Sequence, residues 1–129
     1  YKTIKAEAKF SDNTRFDFLL NNSMEKCFVE VKNVTLFREK KTAEFPDSIT
    51  SRGKKHLLEL INAKKKGYQT YIFFLIQKQG CDSFKIAKDI DKDYEIAFKK
   101  AKKNGIKILC YDCKVNNEEI ILNKEICYE

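Results

Sequence analysis

The first part of the chain contains three runs that are rich in apolar residues, separated by short polar segments. Residues 1–10 show the period of two that is typical of a half-buried β-strand. Residues 15–20 and 26–36 also read as strands, and the third run is rich in Val and Phe. The segments between them, at residues 11–13 and 21–23, are long enough only for turns, and turns join antiparallel neighbours. The pattern therefore predicts a three-stranded antiparallel meander.

Beyond the meander, the spacing of apolar residues changes to three and four, as expected of a helix. A charged loop is predicted at residues 38–44, and a helix at residues 48–66 with Asp47 or Ser48 as its N-cap. Gly67 is placed to end this helix, because glycine adopts the left-handed conformation of a helix end without strain. The first crossover is therefore predicted to be helical.

The rest of the chain alternates strand and helix. Residues 68–77 are apolar on both faces, which predicts a central strand covered from both sides. Asp91 can cap a second helix that ends at residues 104–105, and a strand at 106–115 and a short edge strand at 118–122 follow. The predicted fold class is α/β: a mixed sheet in which the meander is followed by helix, strand, helix and strand, with the helices packed on it.

Composition narrows the class of protein. The 129 residues are the usual size of one domain, and 26 Lys and Arg against 19 Asp and Glu give a formal net charge of +7. This excess suits a polyanionic partner, although lysine runs such as 64–66 are also typical of solvated helix faces. The odd number of cysteines, five, does not suit a disulfide framework and predicts a cytoplasmic location. No apolar run reaches the roughly 18 residues that span a bilayer, so no membrane partner is predicted.

Three charged residues stand inside strands that otherwise look buried. Glu30 and Lys32 share one face of the third strand with apolar neighbours, and the other face is also apolar. Asp17 lies on the preceding strand, so a hairpin brings it near Glu30. Two carboxylates that approach each other repel, and a divalent cation such as Mg²⁺ or Mn²⁺ removes the conflict.

Lys32 then has a chemical role beside the metal, because an ammonium group can orient an attacking water and offset charge on a phosphate. Together the three side chains suit phosphodiester hydrolysis. The alternative is structural: Glu30 and Lys32 form an ordinary ion pair, and Asp17 caps a turn. The apolar flanks favour a site.

The same residues carry a family resemblance. Asp17 followed by Glu30-Val31-Lys32 resembles the D…(D/E)-x-K signature of the PD-(D/E)xK nuclease superfamily. More closely, the blocks RFDFLL, CFVEVKNVTL, FPDSITSRGKKHL and GY…IQ are similar, in this order, to the sugar fermentation stimulation protein family and specifically to its nuclease-like C-terminal domain. The resemblance covers most of the chain, with Phe16 where the superfamily often has proline.

The resemblance implies a restriction-endonuclease-like core. Asp17, Glu30 and the Val31 carbonyl are then the expected metal ligands, Lys32 the catalytic lysine, and Glu7 in the first strand an additional ligand or base. It also implies that residues 1–129 form the nuclease-like domain, without the family's N-terminal OB-like domain.

Further residues are candidates for contacts around this site. On the first helix, Arg52 can grip a phosphate, and His56 can donate to a phosphate or hold a carboxylate, unless both belong to an ordinary exposed helix face. Lys40 and Lys41, in the loop after the third strand, are candidate contacts to the DNA backbone. Gln77 matches a position at which related nucleases place a polar residue beside the lysine, and its alternative role is to end a strand.

Three functions are compatible with these observations. The first is a DNA-binding, magnesium-dependent deoxyribonuclease, a hydrolase of phosphodiester bonds. The second is a non-catalytic, nonspecific DNA-binding regulator of sugar metabolism genes with the same fold. The third is a structural or protein-interaction domain with a vestigial acid pair. DNA is the predicted partner, and homodimer formation is left open.

Overall fold

The computed structural model describes residues 3–22, 24–115 and 119–128 and shows a mixed α/β fold with two helices. In chain order, its elements are β1 (Thr3–Ser11), β2 (Thr14–Asn21), β3 (Lys26–Val34), β4 (Leu36–Glu39), β5 (Thr42–Phe45), α1 (Ser51–Lys65), β6 (Gln69–Ile76), β7 (Ser83–Ile86), α2 (Lys92–Lys103), β8 (Lys107–Val115), β9 (Ile120–Glu125) and β10 (Cys127–Tyr128).

The main sheet has six strands in the order β1-β2-β3-β6-β8-β9. Strands β1, β2 and β3 pair antiparallel, which confirms the predicted meander. Strands β3, β6 and β8 are parallel neighbours, because helical crossovers connect them, and β9 is an antiparallel edge strand. Residues 1, 2 and 23 lie outside the described residues, as do residues 116–118, which include the first residue of the predicted edge strand.

The predicted loop at residues 38–44 is wrong, because most of that segment is a hairpin. Strands β4 and β5 pair antiparallel and join β7 and β10 in a second, four-stranded sheet. Arg38 on β4 donates from Nε to Glu44 Oε2 at 2.9 Å and from Nη2 to Glu44 Oε1 at 2.7 Å. Glu44 is buried, so this two-pronged pair neutralises a charge that the sequence pattern had assigned to solvent.

The N-cap residues of the two helices are hydrogen-bonded to each other. The N-cap of α1 is Thr50, which accepts from the Gly53 amide, and neither Asp47 nor Ser48 has this role. The N-cap of α2 is Asp91, as predicted; its Oδ1 accepts from the Tyr94 amide at 3.0 Å and its Oδ2 from the Thr50 amide at 2.9 Å. One buried carboxylate therefore fixes the starts of both helices.

Replacing Asp91 by alanine is expected to lower the free energy of unfolding by about 2 kcal/mol, because the buried Tyr94 amide and the half-buried Thr50 amide lose their acceptor. Asp93, exposed in the first turn of the same helix, is the matched control, and Asp93→Ala should cost about 0.5 kcal/mol through the helix dipole. Urea denaturation of both variants measures the difference. Equal losses would contradict the double cap.

The helices cover one face of the main sheet. Along β6 the residues that face the helices, Thr70, Ile72, Phe74 and Ile76, are buried, whereas the residues between them are only partly buried. The prediction that this strand is covered from both sides is therefore wrong within this chain. Its second face continues into Val29 and Val31 on β3 and Phe18 on β2, and the Phe18 side chain is 37% exposed. Neither helix of the described chain is long and apolar enough to cross a membrane.

Candidate functional site

The site lies where β2 separates from β3. Their ladder ends at the pair Phe18 and Val29, and beyond it side chains replace the backbone hydrogen bonds. The Val31 amide donates to Asp17 Oδ2 at 2.7 Å, and the Asp17 amide donates to Glu30 Oε1 at 3.2 Å. Each carboxylate thus satisfies a backbone donor of the opposite strand, which holds the two acids face to face.

The direction of β2 changes at the same point. Phe16 is fully buried, with its ring 5.0 Å from that of Phe28, whereas Phe18 lies on the half-exposed face with Val29 and Val31. In a regular strand, residues two apart share a face. Because they do not here, the strand twists sharply at Asp17, the residue between them.

Glu7 on β1 shows a backbone irregularity opposite this twist. Its neighbours Ala6 and Ala8 pair with Phe18 and Phe16, so Glu7 stands across from Asp17. Its φ is +50°, a left-handed conformation that costs of order 1–2 kcal/mol for a residue other than glycine. Strain of this kind concentrates at functional sites. Glu7 is exposed and sits one strand away from the carboxylate pair.

Behind the acid pair, three polar groups converge on one point. Lys32 Nζ lies 3.2 Å from Glu30 Oε2 and 3.0 Å from His56 Nδ1, and His56 Nδ1 also contacts Glu30 Oε2. His56 and Glu30 are buried, and α1 carries the histidine to β3. Of the two roles predicted for His56, the structure places it in the one that holds a carboxylate.

The two carboxyl groups have opposite pKa shifts. Burial raises the pKa of Glu30 on its own, but the hydrogen bond from His56 and the charge of Lys32 outweigh it and bring the pKa down to about 2. Burial raises the pKa of Asp17, against the hydrogen bond from Val31, and the neighbouring Glu30 raises it further. The surroundings of Glu30 therefore stabilise its charged form, whereas those of Asp17 disfavour the charged form, which a bound cation would stabilise.

The donors suit a hard divalent ion. The two carboxylates and the Val31 carbonyl supply oxygen only, the ligand type that Mg²⁺, Mn²⁺ and Ca²⁺ prefer. In the described part of the chain, no group of three or more His, Cys, Asp or Glu side chains is placed to hold a metal. Mg²⁺ usually has few protein ligands, because it keeps several of its bound waters. The donor set therefore fits an ion held by two acids, a carbonyl and solvent.

Tyr94 on α2 is a core residue, as the sequence predicts, but it carries a polar group into the core. It is fully buried, and its hydroxyl has no hydrogen-bond partner among the described residues. Burial raises its pKa, and the negative charges of Glu30 and Asp91 add to the effect. A tyrosine at an apolar helix position does not indicate, in the sequence, that its hydroxyl will be buried without a partner.

Other predicted site residues lie apart from the carboxylates. Gln77 donates from its side chain to Asn33 Oδ1 at 3.0 Å. Asn33 lies on the strand face opposite Lys32, so the prediction that Gln77 sits beside the lysine is wrong, because the alternation of side chains turns it away. Lys40 and Lys41 form the exposed tip of the β4–β5 hairpin in the second sheet. No hydrogen bond or ion pair within the described ranges connects them to the acid pair.

Arg52 is exposed on the first turn of α1 and lines a cleft of about 660 Å³ between this helix and the turn that joins β1 and β2. His56 lines the same cleft and also contacts Glu30. The cleft is therefore connected to the acid pair through His56.

Comparisons with known proteins identify the family of this chain. The model of the sugar fermentation stimulation protein (SfsA) RE domain matches residues 1–119. The sugar fermentation stimulation protein homolog of Pelagibacter ubique (strain HTCC1062) is 59% identical over 124 residues, 96% of this chain and 53% of that protein. The homolog of Clostridium kluyveri is 45% identical over 127 residues, 98% of this chain and 54% of that protein.

A solved structure of Pyrococcus furiosus SfsA in complex with Ca²⁺ matches the fold with a TM-score of 0.88 at 30% identity, over 97% of this chain and 54% of that one. The chain thus spans about half the length of the relatives it matches. These matches cover nearly all of the fold described above, including β2, β3 and α1. The chain belongs to the sugar fermentation stimulation protein family and corresponds to its RE domain.

Proposed function

We propose that this domain is a DNA-binding, divalent-metal-dependent deoxyribonuclease with its reaction centre at Asp17, Glu30 and Lys32. The observation that carries the proposal is the reciprocal bonding of the two acids across the β2–β3 split, with an ammonium group 3.2 Å from one of them. The Ca²⁺ bound by the Pyrococcus furiosus relative supports a divalent ion in this fold. The net charge of +7 supports a polyanionic substrate.

Each residue has a defined task in this proposal. Asp17, Glu30 and the Val31 carbonyl hold the ion, and Glu7 across from Asp17 is an additional ligand or base. Mg²⁺ or Mn²⁺ bound there supplies Lewis-acid activation of a phosphodiester. Lys32 orients the attacking water and offsets charge on the phosphate, while His56 keeps Glu30 in place.

A second function is favoured by one observation. Glu30 Oε2 already contacts both Lys32 and His56, so the amine and the acid satisfy each other without a metal. A cluster balanced in this way also suits a non-catalytic domain that binds DNA nonspecifically and regulates sugar metabolism genes. Metal dependence separates the two functions. Basic residues that bind the DNA backbone make contacts that weaken with salt, but these contacts do not require a divalent metal ion.

The test combines metal titration with cleavage. Calorimetric titration with Mn²⁺ should show one site on the wild-type chain, and Asp17→Asn should weaken its affinity at least about tenfold, because a charged ligand is lost. Plasmid and single-stranded DNA should be cut with Mg²⁺ or Mn²⁺ by the wild type and not by this variant.

Asp93→Asn, at an exposed position on α2, removes the same charge far along the chain and should change neither result. Cleavage that persists in Asp17→Asn would overturn the assigned centre. DNA binding without metal binding or cleavage would favour the regulator instead. If the folded wild type binds neither DNA nor metal, only the structural or protein-interaction function remains.

A further inference from the structure

The arginines of this chain are distributed unevenly. Of its 26 basic side chains, only Arg15, Arg38 and Arg52 are arginines, and the others are lysines. Arg38 has a structural use, since it pairs with Glu44 and with Asp89 at 2.6 Å. The other two both line the cleft between α1 and the β1–β2 turn. A chain that otherwise uses lysine thus places both remaining arginines on one surface.

Neither cleft arginine has a side-chain partner among the residues that the structure describes. Both are exposed, and no hydrogen bond or ion pair joins them to any described residue. Lys55, the third basic residue of the cleft, donates to the Asn13 carbonyl at 2.6 Å and so fixes the turn against α1. Asp12, the acidic residue at the rim, pairs with Lys9 at 3.4 Å. Arg15 and Arg52 are therefore the basic side chains of the cleft that have no hydrogen-bond or ion-pair partner among the described residues.

Each arginine lies a short distance along the chain from one residue of the candidate site. Arg15 is two residues from Asp17 along β2, and Arg52 is one helical turn from His56, which contacts Glu30. Two strand residues and four helix residues both span about 6–7 Å. This is the scale that separates neighbouring phosphates of one nucleic-acid strand. The guanidinium group is also the side chain that grips a phosphate with two parallel hydrogen bonds.

We propose that Arg15 and Arg52 form a phosphate clamp that holds the phosphate next to the one at the acid pair, so that the ligand of this cleft is a nucleic-acid strand with at least two consecutive phosphates. The inference rests on the proposed function for the identity of the neighbouring phosphate. The clamped phosphate is either an internal phosphodiester or a terminal 5′-phosphate, which share the same chemistry.

Binding measured without cleavage tests the clamp. The 129-residue chain is titrated into 3′-fluorescein oligonucleotides, single-stranded and duplex, with and without a 5′-phosphate, in Ca²⁺ and separately in EDTA. Arg15→Gln and Arg52→Gln are each expected to weaken binding about tenfold and to lower the slope of log Kd against log salt by about one, and the double variant by about two. Arg52→Lys should recover the slope but not the full affinity, because it keeps charge and loses the two-pronged grip.

Lys103→Gln, at an exposed position on α2, is the matched control for net charge and should behave as wild type. Arginine variants that bind like this control overturn the clamp. Weakening confined to 5′-phosphorylated strands assigns the clamp to a terminal phosphate, and weakening with all strands assigns it to an internal one.

The clamp and the proposed function fail separately. Arginine-dependent binding by a wild type that never cuts DNA keeps the clamp and removes the nuclease. Metal-dependent cutting that is unchanged in both arginine variants keeps the nuclease and removes the clamp. Melting temperatures of all variants should equal that of the wild type, since the substituted side chains are exposed and unpaired.

Discussion

Lys32→Ala is expected to reduce metal-dependent DNA cleavage about 10²–10³-fold, the usual loss when one group that stabilises transition-state charge is removed. The Lys32 ammonium is the only lysine nitrogen that contacts Glu30 among the described residues, and it also contacts His56 Nδ1 at 3.0 Å. Initial rates on supercoiled plasmid at saturating Mn²⁺ measure the loss.

The control for this variant comes from the same strand. Lys26→Ala removes an exposed lysine at the start of β3 and should leave the rate within about twofold, because exposed charges contribute little individually. Mn²⁺ affinity separates chemistry from ion binding: Lys32→Ala should retain the metal because both carboxylates remain. A variant that cuts DNA at the wild-type rate would show that the amine only neutralises Glu30.

Phe74→Ala is expected to lower the free energy of unfolding by about 3–5 kcal/mol, the range for deleting a fully buried aromatic ring. Phe74 is completely buried, and its ring lies 4.6 Å from Phe84 of the second sheet, 5.5 Å from Phe45 and 5.9 Å from Phe98 of α2. One ring thus joins the main sheet, the second sheet and a helix. Its loss leaves a cavity where three layers meet.

Phe73, the preceding residue of β6, is the matched control, because it has the same side chain on the opposite, half-exposed face. Phe73→Ala should cost about 1–2 kcal/mol, since part of its ring already faces solvent and its main contact is the stacked Tyr111 ring at 5.4 Å. Urea denaturation followed by circular dichroism compares the two. Equal losses would mean that the second sheet face is as well packed as the first.

Local patterns were sufficient for the elements with strong signals. The period of two predicts β1, apolar runs between turn signals predict β2 and β3, helix spacing predicts α1 and α2, and the Asp91 cap is where the sequence indicates it. The hairpin β4–β5 was missed because its charges suggest solvent, while in the fold Arg38 neutralises a buried Glu44. Charge pairing between strands is a contact property and leaves no period in the sequence.

The candidate site, too, was only partly predictable from the sequence. The isolated charges at Asp17, Glu30 and Lys32 stand out in the sequence, because an apolar strand does not carry unpaired charge without cause. Only the fold shows that His56 turns inward to Glu30, that Gln77 turns to Asn33, and that the two unpaired arginines meet in one cleft.

The physical reason is the range of the interactions. Alternation, capping and helix periodicity act over a few residues, so the chain determines its strands and helices, and the oddity of its buried charges, by itself. Which face each side chain points to after β2 twists, and which distant groups then meet, depends on the packing of strands and helices that are far apart in the chain. Tertiary structure alone decided those contacts, because they exist only once the separated segments share one core.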